Sequence, residues 1–357
     1  MSTSSSSQFL GYLHSFRGFA IINIVLIHAV VAALVAIDEM DFSNLIALTN
    51  EVLFHDSTLY FTIISGLLFS AILRSRGYKA FYKSKAMNVL APYAFITLLV
   101  ALGKASQSPD LEQSGYFAVL LNTFGMDMLY GKAIGLYWYL PVLFFLFIIT
   151  PLVDYLINLR KIGIVLMLLM ALAPLLVSRV QMAFEYILPI ESFIYFLGAY
   201  ALGIWLGTDL DKYMTWIKSK MILFLVIAAI STVVLFYLFI KDINMVGFVS
   251  LQETFFYIQK MALAGIVLVW MKDNLNTPPR WLDRFAKDSF GIYFIHGYLA
   301  FGGIPLFMWI LGFDAISPFN TLIGSLILFA FSVGMSMGLI WLFRKMMGKR
   351  SRMLVGS

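Results

Sequence analysis

Stretches of about twenty predominantly apolar residues recur along this chain, and that recurrence restricts its fold more than any other feature. A bilayer core is crossed by about 20 helical residues. Inside it the backbone must satisfy its own N–H and C=O groups, as helix or closed barrel. The stretches fall at 16–37, 57–73, 87–104, 136–156, 162–178, 190–207, 221–240, 251–271, 287–311 and 319–343. They predict an all-α polytopic membrane protein of about ten transmembrane helices, with residues 1–357 forming one membrane domain. Only 12% of the residues are charged, against roughly a quarter in soluble domains. The longest weakly apolar interval, 103–135, is too short to bury a core of its own. A serine run at 4–7 reads as a disordered end over about 1–8, and 344–357 as a basic tail. The first stretch follows neither a basic segment nor a cleavage signature, so it reads as a retained helix.

The basic residues are distributed asymmetrically. With the N-terminus inside, twenty of the 25 fall in cytoplasmic segments: Arg17, the loops at 74–86, 157–161, 208–220 and 272–287, and the tail after 343. The outer loops hold only Lys104, Lys132, Arg179 and Lys241, while Lys260 lies within the eighth stretch. This positive-inside bias predicts an even helix number with both termini cytoplasmic. It also accounts for the formal net charge of +6 without a nucleic-acid partner. The tail RKMMGKRSR then reads as a topology signal and a contact for lipid headgroups. There are no cysteines, which removes disulfides, thiolate catalysis and Cys-ligated metals; no metal site is predicted.

Within the first stretch, Arg17 and His28 stand eleven residues apart. At about 100° per residue they project from one helical face, about 16 Å apart along the axis. An intramembrane histidine is costly unless it faces a polar cavity or a partner, which makes it a candidate functional group. In the ninth stretch Ser289, Tyr293 and His296 share another face, with His296 at a depth similar to that of His28. Ser65 and Gly66 fall near mid-membrane in the second stretch, where the glycine permits close approach of a backbone or a ligand. His28, Ser65 and His296 thus form a candidate chamber. The bland alternatives are a snorkelling Arg17, a structurally satisfied His296 and a Ser65 bonded to its own helix. Gly203 and Gly207 make a GxxxG step expected to pack helices. Glu253 and Lys260 share roughly one face, as a structural pair through water or a partner. The first outer loop is acidic, with Asp38, Glu39, Asp41, Glu51 and Asp56 beside His55; either Glu51 or Asp56 is expected to orient His28 or an acceptor hydroxyl.

Arg17 with ten residues before His28, Ser65-Gly66, a basic loop ending in Pro92-Tyr93, Tyr137-Trp138-Tyr139-Leu140-Pro141, Phe196-Leu197-Gly198 and Ser289-Phe290-Gly291-Ile292-Tyr293-Phe294-Ile295-His296 follow one another in that order. The series resembles the acyltransferase 3 family of integral membrane acyltransferases, in its stand-alone form and closest to the fucose 4-O-acetylase-like branch. The resemblance implies acyl transfer from acyl-CoA, usually acetyl-CoA, to a hydroxyl of an envelope glycan or lipid-linked sugar, in the inner membrane of a bacterium. It implies His28 as general base: a neutral imidazole can take the proton of a hydroxyl attacking a thioester. Arg17, Lys85, Ser65 and Gly66 would meet the donor, with Arg17 on its phosphates. Its distance from His28 matches an extended pantetheine arm. Trp138, Tyr139, Tyr293 and His296 would line the acceptor side, although Trp138 and Tyr139 also suit an interfacial aromatic belt. Many family members carry Arg-x-x-Arg before the proline; this chain has Lys85 and Asn88, so part of the expected guanidinium charge is missing. The competing readings are a polytopic transporter or flippase, for which no inverted repeat is visible, and a membrane-bound O-acyltransferase, whose motif order fits less well.

Overall fold

The computed structural model describes residues 10–37, 44–179, 190–311 and 318–356. Residues 1–8 and the acidic Asp38, Glu39 and Asp41 lie outside the described residues. The chain is a bundle of helices. In order these are α1 (Gly11–Ala36), α2 (Leu45–Phe54), α3 (Thr58–Leu68), α4 (Tyr78–Lys85), α5 (Ala91–Ser106), α6 (Leu111–Ser114), α7 (Tyr116–Tyr130), α8 (Tyr139–Ile157) and α9 (Gly163–Leu172). There follow α10 (Ile190–Thr208), α11 (Leu210–Ser219), α12 (Met221–Ile240), α13 (Leu251–Asn274), α14 (Arg280–Gly302), α15 (Ile304–Leu311), α16 (Pro318–Met347) and α17 (Ser351–Val355). A two-residue hairpin, β1 (Met245–Val246) and β2 (Val249–Ser250), turns at Gly247 with φ 63°. Among the described residues eight helical runs are long and apolar enough to cross a membrane, nine if the bent α14–α15 pair is one span, and Gly163–Leu176 is a shorter apolar helix. Each of these runs overlaps one of the apolar stretches. Large apolar side chains such as Ile148, Ile222 and Trp309 are exposed on the outside of the bundle, as a lipid-facing surface requires.

Two stretches differ from the simple expectation, each at a proline. The stretch 287–311 is broken by 42° between α14 and α15. Pro305 has no N–H for the carbonyl of Phe301, and Gly302-Gly303 offers no side-chain resistance to the bend. The stretch 162–178 ends its α-helix at Leu172 and tightens into a 3-10 turn at Ala173–Leu176, because Pro174 cannot donate to Met170. The interval 103–135 folds into α6 and α7 with no core of its own; α7 leans on α5 through the Tyr93 hydroxyl donating to Asp127 O at 2.9 Å and the Lys104–Asp127 ion pair at 2.9 Å.

The tightest contacts use glycine. A Cβ at Gly66 would lie 2.4 Å from Tyr200 O, one at Gly203 2.3 Å from Ile63 O, and one at Gly207 2.9 Å from Leu67 O. α3 and α10 therefore meet backbone to backbone, and the GxxxG step is a packing device. Helix α1 packs against α14 and α16; near its start the backbone at Gly11 abuts Asn276 and Gly18 abuts Leu282. Arg17 faces Ser289 while His28 faces His296, so α1 and α14 run in the same direction, as the first and ninth spans of the predicted topology must.

Candidate active site

Helix α1 sets two polar positions from one face. At one end the Arg17 Nε donates to Ser289 Oγ at 2.6 Å, and its guanidinium carbon lies 4.9 Å from the centre of the Phe290 ring. At the other, His28 Nδ1 and His296 Nε2 are 3.1 Å apart. The protons on this pair follow from its surroundings. His296 Nδ1 lies 3.0 Å from the carbonyl oxygen of Ile292 and 2.9 Å from that of Tyr293. Carbonyls only accept, so Nδ1 of neutral His296 carries the hydrogen and its Nε2 presents a lone pair. His28 must then donate through Nδ1–H, which leaves its Nε2 as the unprotonated nitrogen. His296 is fully buried, whereas His28 is only partly so. The inner histidine thus fixes the ring and tautomer of the outer one, and the outer one keeps a basic nitrogen for chemistry.

Arg17 borders a cavity of about 790 Å³ at the end of the bundle that carries the basic loops. Ser65 and Lys85 line it too, together with Asn88. The Lys85 ammonium rests 4.3 Å from the centre of the Phe147 ring. Two π-helical turns, Phe69–Leu73 and Ala86–Leu90, adjoin this wall, and the second carries Asn88 and Val89. Such widened turns commonly occur where a helix is reshaped around a site. Asn88 Nδ2 donates to Ser84 Oγ at 3.1 Å and brings no charge. Lys349 and Arg352 of the C-terminal tail also line the cavity, residues for which the sequence offered only a topology and headgroup role.

Of the three residues expected in one chamber, Ser65 lines the cavity described above, and His28 and His296 do not border it. Ser65, in α3, joins Arg17 at the cavity. Gly66 is occupied by the α10 backbone and does not line the cavity. The histidine pair is set back behind aromatic rings: Phe61 and Phe290 line the cavity, the Phe61 and Tyr293 centres are 6.5 Å apart, and Tyr293 and His296 centres are 5.9 Å apart.

The Tyr137-to-Pro141 segment docks on α14. The Tyr137 hydroxyl donates to Phe294 O, and the Tyr293 hydroxyl donates to Leu136 O at 2.9 Å. The Tyr139 hydroxyl is paired with Thr62 Oγ1 at 2.8 Å and the side chain is buried, so it belongs to neither a lipid belt nor an open surface. Trp138 remains half-buried against Phe196.

Neither Glu51 nor Asp56 is bonded to His28, the first of the two roles expected of this loop. Glu51 Oε1 lies 2.6 Å from His55 Nδ1, while Asp56 binds Arg179 at 2.7 Å and the Tyr195 hydroxyl at 2.7 Å. Arg179 also reaches Glu253 Oε1 at 3.0 Å. Lys260 donates instead to Leu53 O and Gln259 Oε1, both at 2.8 Å, so Glu253 and Lys260 do not pair with each other. This buried network ties the α2–α3 corner to α10, α13 and the segment after α9.

Residues 10–345 match the family model described as "Acyltransferase domain", that of acyltransferase 3. The chain belongs to the acyltransferase 3 family. As a member of that family with many apolar helices it is a multi-pass membrane acyltransferase. No curated protein and no solved structure matches it.

Proposed function

We propose that this acyltransferase moves an acyl group, acetyl by default, from acyl-CoA bound at the cytoplasmic side to a hydroxyl of an envelope carbohydrate or lipid-linked sugar, in a bacterial inner membrane with both termini cytoplasmic. The observation that carries the reading is the α1 helix itself: one end presents Arg17 to a basic cavity, the other presents the free Nε2 of a His28 held by His296. Arg17 and Lys85 attract the donor's phosphates. The two ends are separated by about the length of a pantetheine arm, so one donor molecule spans them.

His28 Nε2 takes the proton of the acceptor hydroxyl as its oxygen bonds to the thioester carbonyl carbon. The carbon–sulfur bond then breaks, and the imidazolium returns the proton to the departing thiolate, releasing the coenzyme A thiol. Direct transfer fits the side chains: the sequence has no cysteine, and among the described residues no serine is hydrogen-bonded to His28. Ser289 accepts from Arg17 and Ser65 belongs to the cavity wall. Trp138 is the half-buried aromatic best suited to the face of a sugar ring.

The test uses the protein in lipid nanodiscs with labelled acetyl-CoA and extracted envelope glycans, beside Arg17→Ala and His28→Ala. Transfer abolished by His28→Ala and needing more donor with Arg17→Ala is expected. Label that stays on the denatured protein would replace direct transfer by an acyl-enzyme. Absence of donor binding by a folded wild type would overturn the reading in favour of transport.

A further inference from the structure

The C-terminal tail is built as part of the cavity wall. After α16 the chain reverses at Gly348, whose φ of 56° suits glycine, makes a 3-10 turn through Arg350 and enters α17. The Ser351 hydroxyl donates to Gly348 O at 2.8 Å, and Ser351 and Val355 are buried. The tail lies on α14 closely: a Cβ at Gly291 would stand 2.8 Å from Val355 O, and one at Gly356 3.2 Å from Phe290 and Phe294. Arg344, at the base of the tail, is fastened to the buried carboxylate of Asp288. A segment serving only to meet headgroups would need none of this docking.

Six cations line the cavity: Arg17, Lys85, Lys287, Arg344, Lys349 and Arg352. Arg344 is committed to Asp288, and Lys287 to Asp283 at 2.6 Å. Among the described residues the remaining four, two of them from the tail, have no carboxylate within ion-pair distance. The cavity therefore carries a positive charge that the protein itself does not neutralise, over a volume suited to a small molecule. The nucleotide of coenzyme A, with a diphosphate and a phosphomonoester, brings about four negative charges at neutral pH.

Resting on the acyl-CoA reading above, we propose that Lys349 and Arg352 of the folded tail bind the phosphates of the donor's nucleotide, supplying the charge that Asn88 does not. The donor is thereby specified as a thioester bearing a phosphorylated nucleotide, in preference to a bare pantetheine thioester. Both side chains are exposed at the cavity rim, so replacing them leaves the docking residues Ser351 and Val355 in place.

The experiment compares wild type with Lys349→Ala/Arg352→Ala in nanodiscs, using acetyl-CoA, acetyl-dephospho-CoA and acetyl-pantetheine as donors. The double variant should raise the KM for acetyl-CoA at least tenfold with kcat within twofold, and leave the KM for acetyl-pantetheine unchanged. Adding Asn88→Arg to the double variant should recover most of the lost donor affinity. An unchanged KM for acetyl-CoA overturns the proposal, and so does an equal rise for acetyl-pantetheine, which would mean that the tail supports the cavity without touching phosphate. If wild type binds no acetyl-CoA, measured with the labelled donor, the donor reading falls and this inference with it. Normal donor binding and turnover by both proteins sinks the tail's role alone.

Discussion

The histidine pair makes a quantitative prediction about His296, whose side chain is fully buried behind His28. Its Nε2 accepts from His28 at 3.1 Å, and its Nδ1 is anchored by two carbonyls. His296→Ala removes this acceptor from the His28 Nδ1–H and opens a void beside it. Leaving a buried donor unsatisfied costs about 1–3 kcal/mol. If that loss falls on the transition state, where His28 must be held in one tautomer, kcat drops roughly 5- to 150-fold. His28→Ala removes the base itself and should cost roughly 10²- to 10⁴-fold. Since His296 acts through His28, the double variant should be no slower than His28→Ala. His296→Gln, whose carboxamide oxygen can take the place of Nε2, should recover most of the rate. The assay is transfer of labelled acetyl to extracted envelope glycans by protein in nanodiscs, with donor KM determined for each variant. A double variant slower than His28→Ala by the full His296→Ala factor would refute the relay, as would a His296→Ala effect confined to donor KM.

Other outcomes follow from features away from the pair. Arg17→Lys keeps the charge but loses the planar donors that bind Ser289 and would face phosphate, so donor KM should rise about tenfold with kcat little changed, measured by titrating labelled acetyl-CoA. Asp56→Ala leaves Arg179 buried without its closest partner and should cost about 3–5 kcal/mol, seen as a lower thermal midpoint, while Asp56→Asn with Arg179→Gln should cost less than the two single changes combined. Gly203→Ala forces its Cβ against the Ile63 carbonyl and should destabilise by about 1–3 kcal/mol in the same melt. The chain lacks cysteine, so single replacements report sidedness directly: Lys241→Cys should react with an impermeant maleimide on intact cells, and Lys220→Cys only after permeabilisation.

Features repeating within one helix were the legible ones. Arg17 and His28 fall on one face of α1, and Ser289, Tyr293 and His296 on one face of α14, because a 3.6-residue period constrains neighbours whatever surrounds them. The ten apolar stretches were equally visible, since bilayer thickness sets their length. What pairs with what across helices was not. No local pattern ties Asp56 to Arg179 across 123 residues, or reveals that Glu253 serves Arg179 and ignores Lys260. Nor does any local pattern show that Ser65 lines a cavity with Arg17 that neither histidine borders. The tail looked like a topology signal because its cations are those a topology signal requires; its docking depends on Gly291 and Gly356, which carry no charge to notice.

The rings of Phe61, Phe290 and Tyr293 between the basic cavity and the histidines bear on the membrane's electrical integrity. On the proposed topology, donor and acceptor come from opposite faces, so the two approaches nearly meet inside the bilayer. Each elementary charge crossing a potential of 100 mV dissipates about 2.3 kcal/mol. A continuous water column joining the approaches would short-circuit the cell each time the acyl group was passed. If the donor is the proposed thioester, rings set between the two approaches would pass its slender, uncharged arm while denying hydrated ions a path, so the acyl group could be handed across without loss of the gradient.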